Sequence, residues 1–252
     1  MQGFQSETAQ IGKNTRLGIF SIILADVIIG DDCQIGHNVV IHPGSRIGDG
    51  VRIDDNSIIG KEPLRSPRSI FQEAKQFEPA VIGDNCLIGA HVTIYTGSRL
   101  GKSNLVADLA TIREDVEIGD YNIIGRNVTI ENFTKIGNRN KLETNAYITA
   151  YSVLGNYCFI APCVATSNDN YMGRDPERFQ HFKGVTIKDG GRIGVNATIL
   201  PGKTIEKNGT AAAGSLVTKD IQSGKTVRGV PARISGEVPQ AQLFENNLDK
   251  RK

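Results

Sequence analysis

An all-β fold, built as a parallel β-helix of hexapeptide repeats, is what the sequence predicts, and three observations predict it. Aliphatic residues recur at every sixth position, without a break, from Ile82 through Ile88, Ile94, Leu100 and Val106 to Ile160. With 39% hydrophobic content, so long a run in one frame arises by chance on the order of once in a million, and a period of six belongs neither to a lone strand nor to a helix. Glycine often follows the aliphatic residue, as in Ile88-Gly89, Ile118-Gly119 and Ile136-Gly137, which suits backbone that turns at every corner. Four positions after the aliphatic, residues are mostly small or β-branched (Cys86, Val92, Ala110, Val128, Cys158), the sizes that fill a narrow prism.

Three hexads close one triangular coil of 18 residues, so the chain predicts about ten stacked coils. The frame opens at Ile11 and runs to Ile59, three coils. It is lost over residues 61–80, where Lys61, Arg65 and Arg68 accompany two prolines and a short helix is expected over residues 69–77. The main block spans residues 82–166, and a second insertion over residues 167–184 opens with Ser167-Asn168-Asp169-Asn170. Order returns at Ile187, Ile193, Ile199, Ile205, Ala211 and Val217 for about two more coils. One domain over residues 1–235 and a polar tail over 236–252 are expected, the tail either capping the prism or disordered.

Laying the hexads on three faces puts Ile23, Ile41, Ile59, Ile94, Ile112, Ile130, Ile148 and Thr166 on one face, so both insertions leave the prism at one corner. Residues 18 apart stack one strand spacing from each other. One corner column then holds Pro43, Lys61, Thr96, Glu114, Asn132, Ala150 and Asn168; its neighbour holds His42, Gly60, Tyr95, Arg113, Glu131, Thr149 and Ser167. Other corners carry mostly Gly, Asp and Asn. This polar edge, flanked by both insertions, is where the sequence places the site, because long loops in compact folds are usually functional.

A net charge of +2, from 29 basic and 27 acidic residues, gives no electrostatic footprint for nucleic acid or a membrane surface. No apolar run reaches the length of a membrane span and the N-terminal residues lack an export pattern, so a cytoplasmic location is expected. Cys33, Cys86 and Cys158 share the small-residue slot and Cys163 lies one position earlier in its own hexad, which makes them core thiols; no metal site is expected.

The unbroken hexads resemble the left-handed β-helix acyltransferases, and the segments Ile193–Gly202, Ala212–Ile221 and Gly229-Val230-Pro231-Ala232-Arg233 resemble their acetyl-CoA-binding end. The likeness covers roughly residues 11–235. Within that group, Val128–Gly137 and Gly60-Lys61-Glu62-Pro63-Leu64 are similar to N-acetyltransferases of nucleotide-linked amino sugars, especially the dTDP-3-amino-3,6-dideoxyhexose type. That resemblance implies a left-handed coil, a homotrimer with sites between subunits, a nucleotide-sugar substrate and acetyl-CoA as co-substrate. Residues 140–166 are also similar to the lipid A acyltransferases, which carry histidines in the stretch where this chain has Tyr147 and Tyr151.

On this basis Asn132 is expected to orient the amine or the carbonyl, Glu114 to bind sugar hydroxyls or accept the proton, and His91 to reach a site only across a subunit boundary. Glu131, Asn168 and Asp169 are candidate sugar ligands; Lys61, Arg65, Arg68 and Arg113 are candidate cations for the diphosphate. CoA is expected along the last coils, near Gly194, Ala212 and Ala213, with Lys219, Arg228 and Arg233 around its phosphates. Two other readings stand beside this one: an O-acyltransferase with a histidine base such as His91, and a non-catalytic β-helix scaffold.

Overall fold

The computed structural model describes residues 3–66 and 76–250 of the chain. They form the expected left-handed parallel β-helix, with three sheets of 11, 10 and 12 strands in which hydrogen-bonded neighbours are three strands apart along the chain, except at the end of the third sheet. Almost every strand is two residues long, one pointing out and the frame aliphatic pointing in. Ile23, Ile41, Ile59, Ile94, Ile112, Ile130 and Ile148 are fully buried along the inner side of the first sheet.

The coil count exceeds the expected ten because both ends depart from the aliphatic frame. Phe4–Gln5 pairs with Ile22–Ile23, so the coil starts one hexad before the first frame residue, and Gln5 hides it by standing where an aliphatic would. At the other end the coil shortens: Ile205 bridges Ile221 and Ala211 pairs with Val227, each 16 residues on rather than 18. Lys225–Arg228 then folds back on Arg233–Glu237 as the only antiparallel pair among the described strands.

The small-residue slot is not wholly apolar. Asn104, Asn122 and Asn140, 18 apart, form a buried ladder: the Asn122 and Asn140 amides donate to the Oδ1 of the asparagine below at 2.8 Å, and the Cys158 amide continues the series onto Asn140 Oδ1 at 2.7 Å. Their Nδ2 groups donate to corner carbonyls such as Gly119 and Gly155. Every side-chain polar atom of the three asparagines is thereby paired, which is what makes asparagine tolerable inside a prism of isoleucine. The corners themselves take left-handed backbone, often at Asn and Asp, the non-glycine residues that adopt it most cheaply.

Both insertions leave from the first sheet and return to the second, as the face assignment predicts. The strand Ile58–Lys61 in the first sheet precedes Val81–Ile82 in the second, and Ala165–Thr166 precedes Thr186–Ile187 in the same way. The helix expected over residues 69–77 lies largely outside the described residues, as does Arg68; Gln76 and Phe77 are not helical. A single helical turn, Arg178–His181, sits in the second insertion. The tail neither caps the prism nor dangles. It lies along the corner between the second and third sheets, where Phe244 stacks on Tyr157 with centroids 5.9 Å apart and Asn208 donates to Glu245 at 2.8 Å. Among the described residues no helix is long and apolar enough to cross a membrane.

Candidate active site

The corner between the first and second sheets holds a cavity of about 480 Å³, and both insertions contribute to its wall. The coils supply Arg113, Glu131, Asn132, Tyr147, Thr149, Ala150 and Tyr151; the first insertion adds Leu64 and Ser66, and the second adds Asn168. Stacking at this corner is enforced by backbone bonds that climb one coil at a time, Asp115 to the Thr96 carbonyl, Phe133 to Glu114 and Tyr151 to Asn132. Thr96, Glu114 and Asn132 therefore stand in one column, as the register requires.

Lys61 does not join that column. A bulge at Gly60, whose φ of +77° suits glycine, slips the strand by one residue, so Lys61 pairs with Tyr95 instead of lying under Thr96. A Cβ at Gly60 would come within 2.4 Å of Ser45 Oγ, so no other residue fits there without displacement. The Tyr95 ring consequently lies between two cations, Lys61 Nζ and Arg113 Cζ, each 5.0 Å from its centroid.

Of the two glutamates, the sequence favours Glu114 as the acid-base group, and the geometry does not bring it to the cavity. Glu114 is 1% exposed. Its Oε2 accepts from Arg113 Nε at 2.8 Å and its Oε1 from Arg113 Nη2 at 3.2 Å, so both oxygens are held by the preceding residue. Glu131, expected only to bind the sugar, is the carboxylate on the cavity wall. Its side chain is 21% exposed and its contact with Arg113 is longer, 3.5 Å. Burial pushes the Glu131 carboxyl above its ordinary range, Arg113 opposes that and Glu114 adds to it. The Tyr147 hydroxyl shares a hydrogen bond with Glu131 and is itself pushed up, by burial and then by that carboxylate.

Asn132 carries the second notable feature. It is 5% exposed, and its Nδ2 finds no hydrogen-bond partner among the described residues. An orphaned amide donor at a cavity wall costs about 1–3 kcal/mol, a strain that a ligand oxygen would relieve. Above it Tyr151 stacks on Phe133, centroids 5.2 Å apart, giving the cavity an aromatic side.

Several expected ligands are committed elsewhere. Asp169 accepts the amides of Tyr171 at 2.8 Å and Gly173 at 3.0 Å and faces Arg178 at 3.5 Å, so it shapes its own loop, while Asn168 beside it does reach the cavity. Arg65 lies 5.6 Å from the Phe77 ring within the first insertion. His91 is an exposed turn residue on the corner between the third and first sheets, and no histidine lines the cavity among the described residues. Tyr147, Tyr151, Leu64 and Ser66 are not among the residues the sequence places at the site, while Thr149 stands in the corner column it marks. Tyr147 precedes a frame isoleucine and sits one coil above Thr129, beside the Glu131 corner, so its outward position was open to the column method.

The candidate donor residues lie apart from this cavity. Gly194, Ala212 and Ala213 follow strands of the third sheet at its corner with the first, and a Cβ on Gly194 would meet the Ala213 amide at 2.5 Å, so coil stacking alone requires that glycine. Lys219 is exposed, and Arg228 and Arg233 are register partners across the final hairpin, both exposed.

Comparison with known proteins agrees with this architecture. Residues 8–43 and 32–61 match the family described as bacterial transferase hexapeptide (six repeats), and residues 79–105 match the hexapeptide repeat of succinyl-transferase. An acyl-[acyl-carrier-protein]--UDP-N-acetylglucosamine O-acyltransferase of Rickettsia canadensis is 32% identical over 107 residues, 40% of this chain and 39% of the relative. A 2,3,4,5-tetrahydropyridine-2,6-dicarboxylate N-acetyltransferase of Staphylococcus aureus is 40% identical over 58 residues, 23% of this chain and 24% of the relative. The chain thus spans well under half the length of these curated relatives. Among solved structures, the UDP-N-acetylglucosamine acyltransferases of Bacteroides fragilis and Francisella novicida superpose with TM-scores of 0.58 and 0.55 at 22% and 21% identity, each over 99% of this chain and over 76% and 72% of theirs. By its repeats and its fold, this chain is a left-handed β-helix of hexapeptide repeats, the fold it shares with those solved acyltransferases.

Proposed function

We propose that the chain is an acetyl-CoA-dependent N-acetyltransferase acting on a nucleotide-linked amino sugar, with a dTDP-3-amino-3,6-dideoxyhexose as the first choice, working in the cytoplasm as a homotrimer. The observation that carries this reading is the wall of the corner cavity: an orphaned Asn132 amide and an accessible Glu131 carboxylate, with no histidine beside them among the described residues. A hydroxyl acceptor needs a base strong enough to draw off its proton during attack. An amine, once neutral, is already a good nucleophile, so orientation supplies much of the rate, up to about 7–11 kcal/mol.

In this reading the acceptor sugar occupies the cavity, with Asn168 and Ser66 on its hydroxyls and Tyr151 against its ring. Lys61 and Arg113, gathered on Tyr95, are the cations nearest for a diphosphate, with Arg65 in the loop above. Asn132 Nδ2 donates to the carbonyl oxygen as it becomes an oxyanion. The thioester donor lies along the last coils past Gly194, Ala212 and Ala213. Arg228 and Arg233 are register partners there, and like charges opposite one another are unfavourable, which an anion such as a CoA phosphate would relieve; Lys219 follows a first-sheet strand and would reach that phosphate only from the acceptor corner. Because Gly194, Ala212, Ala213 and Arg228 follow or end strands of the third sheet, on another corner, donor and acceptor meet where two copies adjoin.

The relative acting on a nucleotide-linked sugar by O-acylation and the relative acting by N-acetylation leave the acceptor atom as the point to test. Thiol release from acetyl-CoA should appear with dTDP- or UDP-linked amino sugars and be absent with their hydroxy counterparts. Turnover of the hydroxy sugars alone would instead support O-acylation, and thiol release with neither would favour a non-catalytic scaffold.

A further inference from the structure

We infer that the cavity receives its acceptor as a primary ammonium ion, and that the Glu131 carboxylate takes the ammonium proton before the amine attacks. This rests on the amine-acylation reading above and names the group and the protonation state that reading leaves open.

The charge arrangement points to a cation. Two carboxylates, Glu114 and Glu131, share one guanidinium, and Arg113 gives its two short bonds to Glu114. What remains for Glu131 is a contact of 3.5 Å and the Tyr147 hydroxyl. One carboxylate on the cavity wall is therefore incompletely neutralised, with capacity left on its oxygens. An ammonium group of three donors matches that vacancy in charge and in hydrogen-bond polarity, whereas a sugar hydroxyl brings no charge to offset it. Position agrees as well: Glu131 and Asn132 are consecutive, so a group held by the first lies beside the orphaned amide of the second.

The step balances without a further reagent. The ammonium N–H bond breaks and its proton passes to Glu131, leaving a neutral amine. The nitrogen lone pair forms a C–N bond to the thioester carbon while the C=O pair moves to oxygen beside Asn132. Collapse restores the carbonyl and breaks the C–S bond, and the thiolate takes the second nitrogen-bound proton to leave as thiol. Glu131, 21% exposed, returns its proton to water. Overall, ammonium and thioester give amide, thiol and one released proton. Burial, which raises the affinity of Glu131 for a proton, brings it nearer to the amine it must serve.

Glu131→Gln, Glu131→Asp and Glu114→Gln test the assignment, assayed by thiol release with the amino-sugar nucleotide that the wild type turns over. Arg113, Glu114 and Tyr147 are the charged and titratable groups facing residue 131, and all remain in the Glu131 variants. Glu131→Gln should lower kcat about 100-fold at pH 7, and the deficit should shrink toward about pH 8 and above, where an amine of α-amino type deprotonates unaided. Glu131→Asp should recover part of the rate, and Glu114→Gln should lack the pH-dependent deficit. A wild-type kcat for Glu131→Gln, or a deficit constant with pH, overturns the assignment while leaving amine acylation intact. A wild type that turns over only hydroxy sugars overturns the acylation reading, and this assignment with it.

Discussion

Arg113 and Glu114, adjacent in the chain, form a two-pronged ion pair with the carboxylate buried and the guanidinium at the cavity wall. Glu114 thereby acts on the cavity through Arg113, which it holds against the Tyr95 ring, and through its charge on Glu131. Substituting Glu114→Gln keeps the shape but removes the charge and one acceptor. The expected loss is about 1–3 kcal/mol, seen as a melting temperature lower by several degrees, and the KM for the acceptor should rise as Arg113 turns toward Glu131.

The same geometry fixes the sign of a pH effect. Burial raises the folded-state affinity of Glu131 for its proton above the unfolded value. Folded chains then hold more protons than unfolded ones above the ordinary carboxylate range, so this residue costs stability as pH rises through its folded value. Glu131→Gln should therefore melt higher than the wild type at pH 7–8 and equal to it near pH 4. An acidic residue kept in place at a cost to stability is the pattern expected of a site, and thermal melts at the two pH values check it.

The asparagine ladder yields a contrast between buried and exposed positions. Asn140→Ala orphans the Cys158 amide and the Gly155 carbonyl inside the prism and should cost about 2–3 kcal/mol. Asn138→Ala removes an equivalent bond to the Asp120 amide at an exposed corner, where water replaces it, and should cost less than about 1 kcal/mol. Denaturant unfolding of the two variants measures the difference.

What was legible follows from the period. Residues 18 apart must stack, so the face carrying Ile23 to Thr166, the common corner of both insertions and the column of Thr96, Glu114 and Asn132 all come from counting. Counting does not reveal local departures. Gly60 looks like any corner glycine, and only its bulge moves Lys61 onto Tyr95. Stacking also says nothing of which way a corner side chain curls. Glu114 and Glu131 occupy neighbouring columns, and a side-chain bond between consecutive residues sends one inward and leaves the other at the wall. Asn104, Asn122 and Asn140 were visible at 18-residue spacing, but a slot filled elsewhere by valine, alanine and cysteine disguised a polar ladder.

Asn132 concentrates the central claim, because its Nδ2 is buried at the cavity wall with no partner among the described residues. Removing a donor that makes no bond should leave folding nearly intact, while loss of an oxyanion donor is worth about 10²–10³ in rate. The deciding measurement is kcat/KM for acetyl transfer to an amino-sugar nucleotide by Asn132→Ala, beside its melting temperature. The account predicts a fall of about 100-fold or more with the melting temperature nearly unchanged; full activity in a folded Asn132→Ala protein would contradict it.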